Sequence, residues 1–381
     1  MALDKIGAWL KAPIVFLLKK PVQRFAKKIS SSPNREAVFH RLSEMYKDIT
    51  ENPHPKDGAL YEMNLQDNSF IIFSDLHKGN RKRRDEFRFS EKNYLAALDH
   101  YDKKGSYYIN LGDSEELWKF NIFSILQHNK ETFEAEKRFV KRNAFFKVYG
   151  NHDLFWEIDP FSKMYRWQVY EKPVNIYGAI VVRVPFGKGK YIDVFCTHGH
   201  QGDKRSDGNK FSIWFVAYIW GPLQSFLDIN INTPAVSKSE KTLHNRLMYD
   251  WSQQQENVVL VTGHTHQPIF HSYSHLQHLR AQLEEAKSRQ DVDKVKDLEE
   301  RIERHPSQCT LGVEDLPKYK PTYFNVGCCC YSDGSITGIE IADGFVRLVK
   351  WQDEGKGSER EVLEELPLSE MREMFLEKVG K

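Results

Sequence analysis

The chain has 381 residues, 40% of them apolar and 13% aromatic, which is enough to bury a large core and more than an ordinary single domain needs, so one principal domain with insertions and tails is expected. Its 55 basic and 53 acidic residues leave a formal net charge of +2, which excludes a general electrostatic case for nucleic-acid binding. Five cysteines, three of them consecutive at Cys328, Cys329 and Cys330, do not form the spaced framework of a disulfide-stapled secreted domain, and a reducing, cytoplasmic setting is expected.

Residues 1–65 form a basic amphipathic N-terminal segment in which Ile6, Trp9, Leu10 and the run from Ile14 to Leu18 alternate with Lys5, Lys11, Lys19, Lys20, Arg24, Lys27 and Lys28. The apolar run is shorter than the roughly 20 residues that cross a bilayer, and no A-x-A cleavage signal follows it. Two readings stay open: a peripheral contact with an anionic membrane surface, or a terminal helix docked on the main domain.

The main domain is expected over 66–352. Short apolar, β-branched or aromatic runs at Phe70 to Phe73, Tyr107 to Leu111, Phe145 to Tyr149, Tyr191 to Cys196 and Val258 to Val261 read as buried strands. Each is followed at once by a polar cluster: Ser-Asp-Leu-His, Gly-Asp, Gly-Asn-His-Asp, Thr-His-Gly-His and Gly-His-Thr-His. Tyr94, Leu95, Leu98 and Tyr101 recur at helical spacing, as a crossover helix of an α/β sheet requires. Val174 to Val184, Ser335 to Ile341 and Phe345 to Trp351 read as further strands that suggest a second sheet packed on the first.

Two insertions interrupt this rhythm. One, about 205–255, carries the unusually apolar Phe211 to Leu227, which is either core or a cover for the site. The other, about 272–310, reads from its Leu, Val and charge spacing as a solvated helical hairpin, with His271, His275 and His278 on its surface. The tripled cysteines follow Tyr323-Phe324-Asn325-Val326 without a CxxC partner, and read as packing. The tail 353–381 is charged and expected to be helical.

The clusters supply Asp75, His77, Asp113, Asn151, His198, His264 and His266, all at strand ends, where ligands of α/β sheets gather. Mixed carboxylate, amide and imidazole donors suit divalent ions of intermediate hardness, Mn first, then Fe or Zn, and not a soft thiolate site. The number of donors exceeds the four of a single tetrahedral ion and matches two ions sharing a carboxylate, an arrangement that lowers the pKa of water and neutralises phosphoryl oxygens. Any one cluster alone is usually structural; five in this order are not.

In this order D-x-H, G-D, G-N-H-D, H-G-H and G-H-x-H, spanning Asp75 to His266, the motifs resemble those of the calcineurin-like metallophosphoesterase superfamily. The resemblance implies an α/β protein, a four-layer α/β/β/α sandwich with helical insertions, that hydrolyses a phosphomonoester, phosphodiester or pyrophosphate. It puts Asp75, His77 and His266 on one metal, Asn151, His198 and His264 on the other, and Asp113 between them. His152 becomes the imidazole that stabilises the transition state or protonates the leaving oxygen. Asp153 helps to orient the segment, and His200, second choice to His198 as ligand, is left as a neighbour that touches substrate.

For substrate phosphate, Arg81 in the Arg81-Lys82-Arg83-Arg84 run is the first candidate, because Arg grips phosphate in a bidentate manner. Gly112 to Trp118 is similar to a G-D-x-x-E-x-W stretch in the branch containing UDP-diacylglucosamine pyrophosphohydrolases. With the apolar insertion, that similarity implies a lipid-linked or nucleotide substrate, although the branch has Arg where this chain has His152. A nuclease and a non-catalytic scaffold of the same fold are the alternatives; the scaffold reading predicts lost ligands, and none is lost. Protein partners cannot be read from the sequence.

Overall fold

The computed structural model describes residue 20 and residues 34–64, 68–82, 84–186, 189–203, 238–270, 273–303 and 321–376. The basic residues before Asn34 other than Lys20, the apolar run Phe211 to Leu227, Arg83 and His271 lie outside them, as do the side chains of His275 and His278.

The first sheet contains β2 (Phe70–Phe73), β3 (Tyr107–Leu111), β4 (Phe145–Val148) and β5 (Ile176–Tyr177), all mutually parallel. Antiparallel β12 (Ile336–Ala342), β13 (Phe345–Asp353) and β14 (Ser358–Pro367) extend it beyond β2. The second sheet runs in the order β1 (Gly58–Glu62), β6 (Ala179–Pro185), β7 (Tyr191–Thr197), β8 (Val258–Thr262), β11 (Tyr323–Asn325), β9 (Ile269–Phe270) and β10 (Tyr273–Ser274). Here β1 with β6, β7 with β8 and β8 with β11 are parallel pairs, whereas β6 and β7 are antiparallel.

The period of two in each strand decides which layer a side chain joins. Phe70 and Ile72 of β2 meet Ile180, Val182, Val194, Cys196 and Val261 in the core between the sheets. Ile71 and Phe73 face the other way, onto Tyr94, Ala97, Leu98 and Tyr101 of helix α1 (Glu91–Lys103). On the far side Phe195, Val258 and Leu260 pack against Val38, Leu42 and Ile49 of the helix Arg35–Glu51 and Leu247, Met248 and Trp251 of the helix Lys238–Gln254. The result is the helix, sheet, sheet, helix order expected of an α/β/β/α sandwich. Each of these fully buried aliphatic or aromatic side chains stabilises the layers by about 2 kcal/mol.

Three sequence expectations are corrected. The tail is not helical throughout, because Ser358–Pro367 pairs along the whole of β13 and only Leu368–Leu376 is a helix. Its charges suit an exposed edge strand as well as a helix. The run Val174 to Val184 is not one strand: it breaks at Gly178 and sends β5 to one sheet and β6 to the other. Gly178 has to be there, since its amide donates to Asp57 Oδ1 at 2.9 Å and a Cβ would strike the same carboxylate. Finally, β12 and β13 extend the first sheet rather than founding the second, which is built around β6, β7 and β8.

The folded layers also reach past 66–352, since β1 is an edge strand of the second sheet, the helix Arg35–Glu51 packs on that sheet, and β14 closes the first. The charged insertion does fold as a pair of helices, His275–Ser288 and Val292–Glu303, joined through Leu283, Ala286 and Leu298. Among the described residues no helix is long and apolar enough to cross a membrane.

Candidate metal centre

The polar clusters stand where β2, β3 and β4 of one sheet and β7 and β8 of the other end. Asp75, His77, Asp113, His264 and His266 all adopt left-handed backbone, with φ of 54°, 53°, 49°, 67° and 55°. Non-glycine residues take this conformation at a cost of about 1–2 kcal/mol each, and such residues concentrate at functional sites. The strain is held by a ladder between the first two loops. Asp75 N donates to Gly112 O at 3.1 Å, His77 N to Asp113 O at 2.9 Å, and Lys78 N to Ser114 O at 2.9 Å. Gly150 lets the third loop close in, because a Cβ there would collide with the Asp113 carboxylate and lie 2.6 Å from the Asp113 amide nitrogen.

Asp113 stands at the middle of the arrangement. Its Oδ2 is 3.2 Å from His198 Nε2 and 3.8 Å from His77 Nε2. It shares one group of mutually close donors with Asp75 and His77, and another with His198 and His264. Asp75 Oδ1 lies 3.1 Å from His266 Nε2 and 3.8 Å from His77 Nε2, and the two imidazole Nε2 atoms are 3.3 Å apart.

Four buried donor atoms make no well-formed hydrogen bond, Asp75 Oδ1, Asn151 Oδ1, His198 Nε2 and His264 Nε2, and the first and third meet only His266 Nε2 at 3.1 Å and Asp113 Oδ2 at 3.2 Å. Buried polar atoms are rarely left so, and orphans of carboxylate, amide and imidazole type converging on one place fit a cation. Two further bonds prepare them: His198 Nδ1 sits 2.9 Å from Leu111 O, which turns Nε2 toward Asp113, and Asp75 Oδ2 accepts from His264 N at 2.8 Å. At His198 the field has the same sign. Burial would lower the pKa of His198, but Asp113 and Asp75 raise it to about 9. Burial and the neighbouring His244 and His198 push His264 well below its ordinary value, so it presents a neutral ring. The residues present therefore fit divalent metal ions.

His152 borders this group and, like His266, is only part-buried. Its backbone N donates to Asp113 Oδ1 at 2.7 Å, its Nδ1 is 2.8 Å from Glu116 Oε1, and its ring stacks on Trp118 with centroids 3.9 Å apart. Glu116 went unassigned in the sequence. Its other oxygen is 3.2 Å from His77 Nδ1, so one buried carboxylate holds both a candidate ligand and the candidate acid. The available signal was its place three residues after Asp113. Cys330 was also missed: it was read as packing, and it is buried, but its sulfur lies 3.9 Å from His266 Nδ1.

Of Asp153, Arg81 and His200, the first takes the orienting place expected of it. Asp153 is fully buried, accepting from Gly150 N at 2.6 Å and Ser114 N at 2.8 Å. Burial, helped by Glu115 and Asp113, raises its pKa to about 7. It fastens the third loop to the second and offers no face to a ligand. Arg81 pairs Nη2 with Glu91 and Nε with the His128 carbonyl at 3.2 Å, while its Nη1 makes no hydrogen bond. His200 is buried with its ring 5.5 Å from that of His198, outside the close donor groups.

Beneath the loops lies a closed network of opposite charges. Lys147 Nζ is 2.8 Å from both oxygens of Glu115, and Lys78 Nζ is 3.1 Å from Glu115 and 2.7 Å from Glu136, all four residues being fully buried. Trp156 Nε1 donates to Glu115 Oε2 at 2.7 Å.

The model of one protein family, calcineurin-like phosphoesterases, matches residues 69–268. No curated protein matches. Among solved structures, the chain is similar to vacuolar protein sorting 29 from Cryptosporidium parvum, with 13% identity, 79% of this chain and 98% of that one covered, and a TM-score of 0.32. It is similar also to a cold-active protein tyrosine phosphatase, with 13% identity, coverage of 86% and 84%, and a TM-score of 0.34. A dimetal phosphatase from Danio rerio aligns with 9% identity, coverage of 78% and 98%, and a TM-score of 0.27. At such scores these three carry no argument, and the family rests on its model.

Proposed function

The chain belongs to the calcineurin-like phosphoesterase family, and on that premise we propose that it is a dinuclear metal-dependent hydrolase of a phosphomonoester, phosphodiester or pyrophosphate. The observation that carries this reading is the shared position of Asp113 between two groups of donors, one with Asp75 and His77 and one with His198 and His264. Asp75, His77 and His266 would hold one ion, Asn151, His198 and His264 the other, and Asp113 both; Mn suits the mixed donors best, with Fe or Zn next. Ions held there supply Lewis acidity toward a phosphoryl oxygen and toward the attacking water.

The chain's own groups do the rest. His152 stands at the edge of the donors, fixed by its backbone bond to Asp113 and its ring bond to Glu116, in a place from which its other nitrogen can give a proton to the leaving oxygen. Trp118 covers one face of that ring. A lipid-linked or nucleotide substrate is our proposal from the Gly112 to Trp118 stretch and the apolar run at Phe211 to Leu227.

The test is to purify the protein with Mn present, count bound metal, and assay bis-(p-nitrophenyl) phosphate beside p-nitrophenyl phosphate, with Asp113→Asn as control. Two ions per chain and hydrolysis that disappears with Asp113 are expected. An absence of bound metal and of turnover with Mn, Fe and Zn alike would overturn the reading in favour of a scaffold.

A further inference from the structure

We propose that Cys330 is a positioning residue for the metal position formed by Asp75, His77 and His266, its sulfur accepting the Nδ1 proton of His266 so that Nε2 stays bare and aimed at the ion. The inference rests on the metal-dependent reading above and goes beyond it. His266 turns its Nε2 toward Asp75 Oδ1, 3.1 Å away, and toward His77 Nε2, 3.3 Å away. Its Nδ1 faces the Cys330 sulfur at 3.9 Å. An imidazole that ligates a metal needs an acceptor on its other nitrogen to fix tautomer and ring orientation, a place ordinarily taken by a carboxylate, carbonyl or water. For His77 that acceptor is Glu116 and for His198 it is the Leu111 carbonyl. For His266 the contact on that nitrogen is the Cys330 thiol, with the Cys328 thiol a second sulfur beside the same ring.

The rest of the cysteine segment is built around the same loops. Cys329 N lies 3.1 Å from both the Ser74 and the Asp75 carbonyl oxygens, and Tyr331 Oη donates to the His266 carbonyl at 3.3 Å. Consecutive residues thus grip the two loops that carry Asp75 and His266. Cys196, by contrast, lies in the apolar core between the sheets and is the natural control. The Cys330 sulfur, a His77 nitrogen and a His266 nitrogen all lie within 4.8 Å of one another, so direct ligation is the rival outcome to be tested.

Metal-free protein would be titrated with Co(II), following its visible spectrum and competing it against a chelator, for the parent, Cys330→Ala, Cys330→Ser and Cys196→Ala. Losing such a partner typically weakens metal binding 10- to 100-fold. We expect Cys330→Ala to lower the affinity for one of the two ions by about tenfold or more, Cys330→Ser to restore most of it, and Cys196→Ala to lower Tm without moving either affinity. Should the alanine variant not fold, Cys330→Val fills the space without an acceptor and carries the same expectation. Parental affinity for both ions in Cys330→Ala overturns the proposal alone. So does a near-ultraviolet thiolate-to-cobalt band in the parent that Cys330→Ala lacks, which would make the sulfur a ligand. A parent that binds no ion overturns both this proposal and the functional reading.

Discussion

Replacing Glu116 by Gln separates what this carboxylate does from what its shape does. Burial alone would raise its pKa, but His152, Lys119 and His77 hold it well below the usual carboxylate range, so the native group is an anion at any working pH. It serves two rings at once, His152 Nδ1 at 2.8 Å and His77 Nδ1 at 3.2 Å, with Lys119 Nζ at 2.9 Å. A carboxylate can accept from all three, whereas a glutamine has one accepting oxygen and a donating NH2. One of the two imidazoles must therefore lose its acceptor or turn over. The lost attraction is also substantial: with charge centres about 4 Å apart and an effective dielectric of about 20, a carboxylate and an imidazolium attract by about 4 kcal/mol, a ceiling equal to about three decades in rate.

Since glutamine keeps one bond, we expect kcat to fall about 100-fold with KM changed little, and one of the two ions to bind about tenfold more weakly. The assay is steady-state hydrolysis of an aryl phosphate at saturating metal, alongside metal titration. Saturating metal removes the His77 contribution, so a residual defect in kcat belongs to His152. If Glu116→Gln turns over within about threefold of the parent at saturating metal, the reasoning that ties His152 to Glu116 is wrong.

Other perturbations follow from the same geometry. Gly150→Ala sets a methyl group 2.6 Å from the Asp113 amide nitrogen, which cannot move aside; metal analysis should show both ions lost, and Tm a destabilisation of about 2 kcal/mol. Lys147→Met leaves Glu115 buried with Lys78 alone at 3.1 Å, and urea unfolding should report a loss of about 3–5 kcal/mol, part of it recovered in Lys147→Met/Glu115→Gln; a loss below about 1 kcal/mol would deny the network its role. At the far end of the first sheet, burial works to raise the Glu340 pKa, but Arg360, Tyr101 and Arg347 hold it below its ordinary 4.5. A depressed folded-state pKa gives stability that is complete above the unfolded value and lost as pH falls through the folded one. The stability gap between the parent and Glu340→Gln should therefore be constant near neutrality and shrink only below about pH 4.5, as measured by urea unfolding across pH.

What could be read from the sequence was local. A run such as Phe70 to Phe73 followed by Asp75 and His77, or Val258 to Val261 followed by His264 and His266, declares both a buried strand and a polar end, because period and composition change within two residues. The same pattern does not say which sheet a strand joins, and β7 and β8 proved to lie across the core from β2, β3 and β4. Charge misled at the tail. Ser358–Pro367 carries so many charged residues that it resembles a helix, yet an edge strand has the same solvated face. Arg81 stands close in sequence to His77, but Glu91 and His128, distant in sequence, decide where its guanidinium goes. Glu116 stood in the Gly112 to Trp118 stretch without a role and Cys330 was read as packing, because only the folded contacts show what each of them touches.

The strained loops and the charges buried under them belong to one design. Five left-handed residues at the strand ends are unfavourable individually, and Asp75 and Asp113 both present buried oxygens to the same space. Neither feature helps a chain fold. Their loops nevertheless stay registered, through the ladder from Asp75 to Glu116 and the clamp in which Lys78 of one loop and Glu115 of the other meet. Lys147, from β4, completes that clamp on Glu115. A flexible set of ligands would relax on losing its ion, with each carboxylate finding water or a backbone amide. Here the backbone denies that relaxation, so Asp75, His77, Asp113, His198 and His264 keep their donor atoms close together. Rigidity of this kind lets side chains hold charge at a fixed spacing against phosphorus chemistry, where displacement of a reacting group by about 1 Å costs about 100-fold in rate.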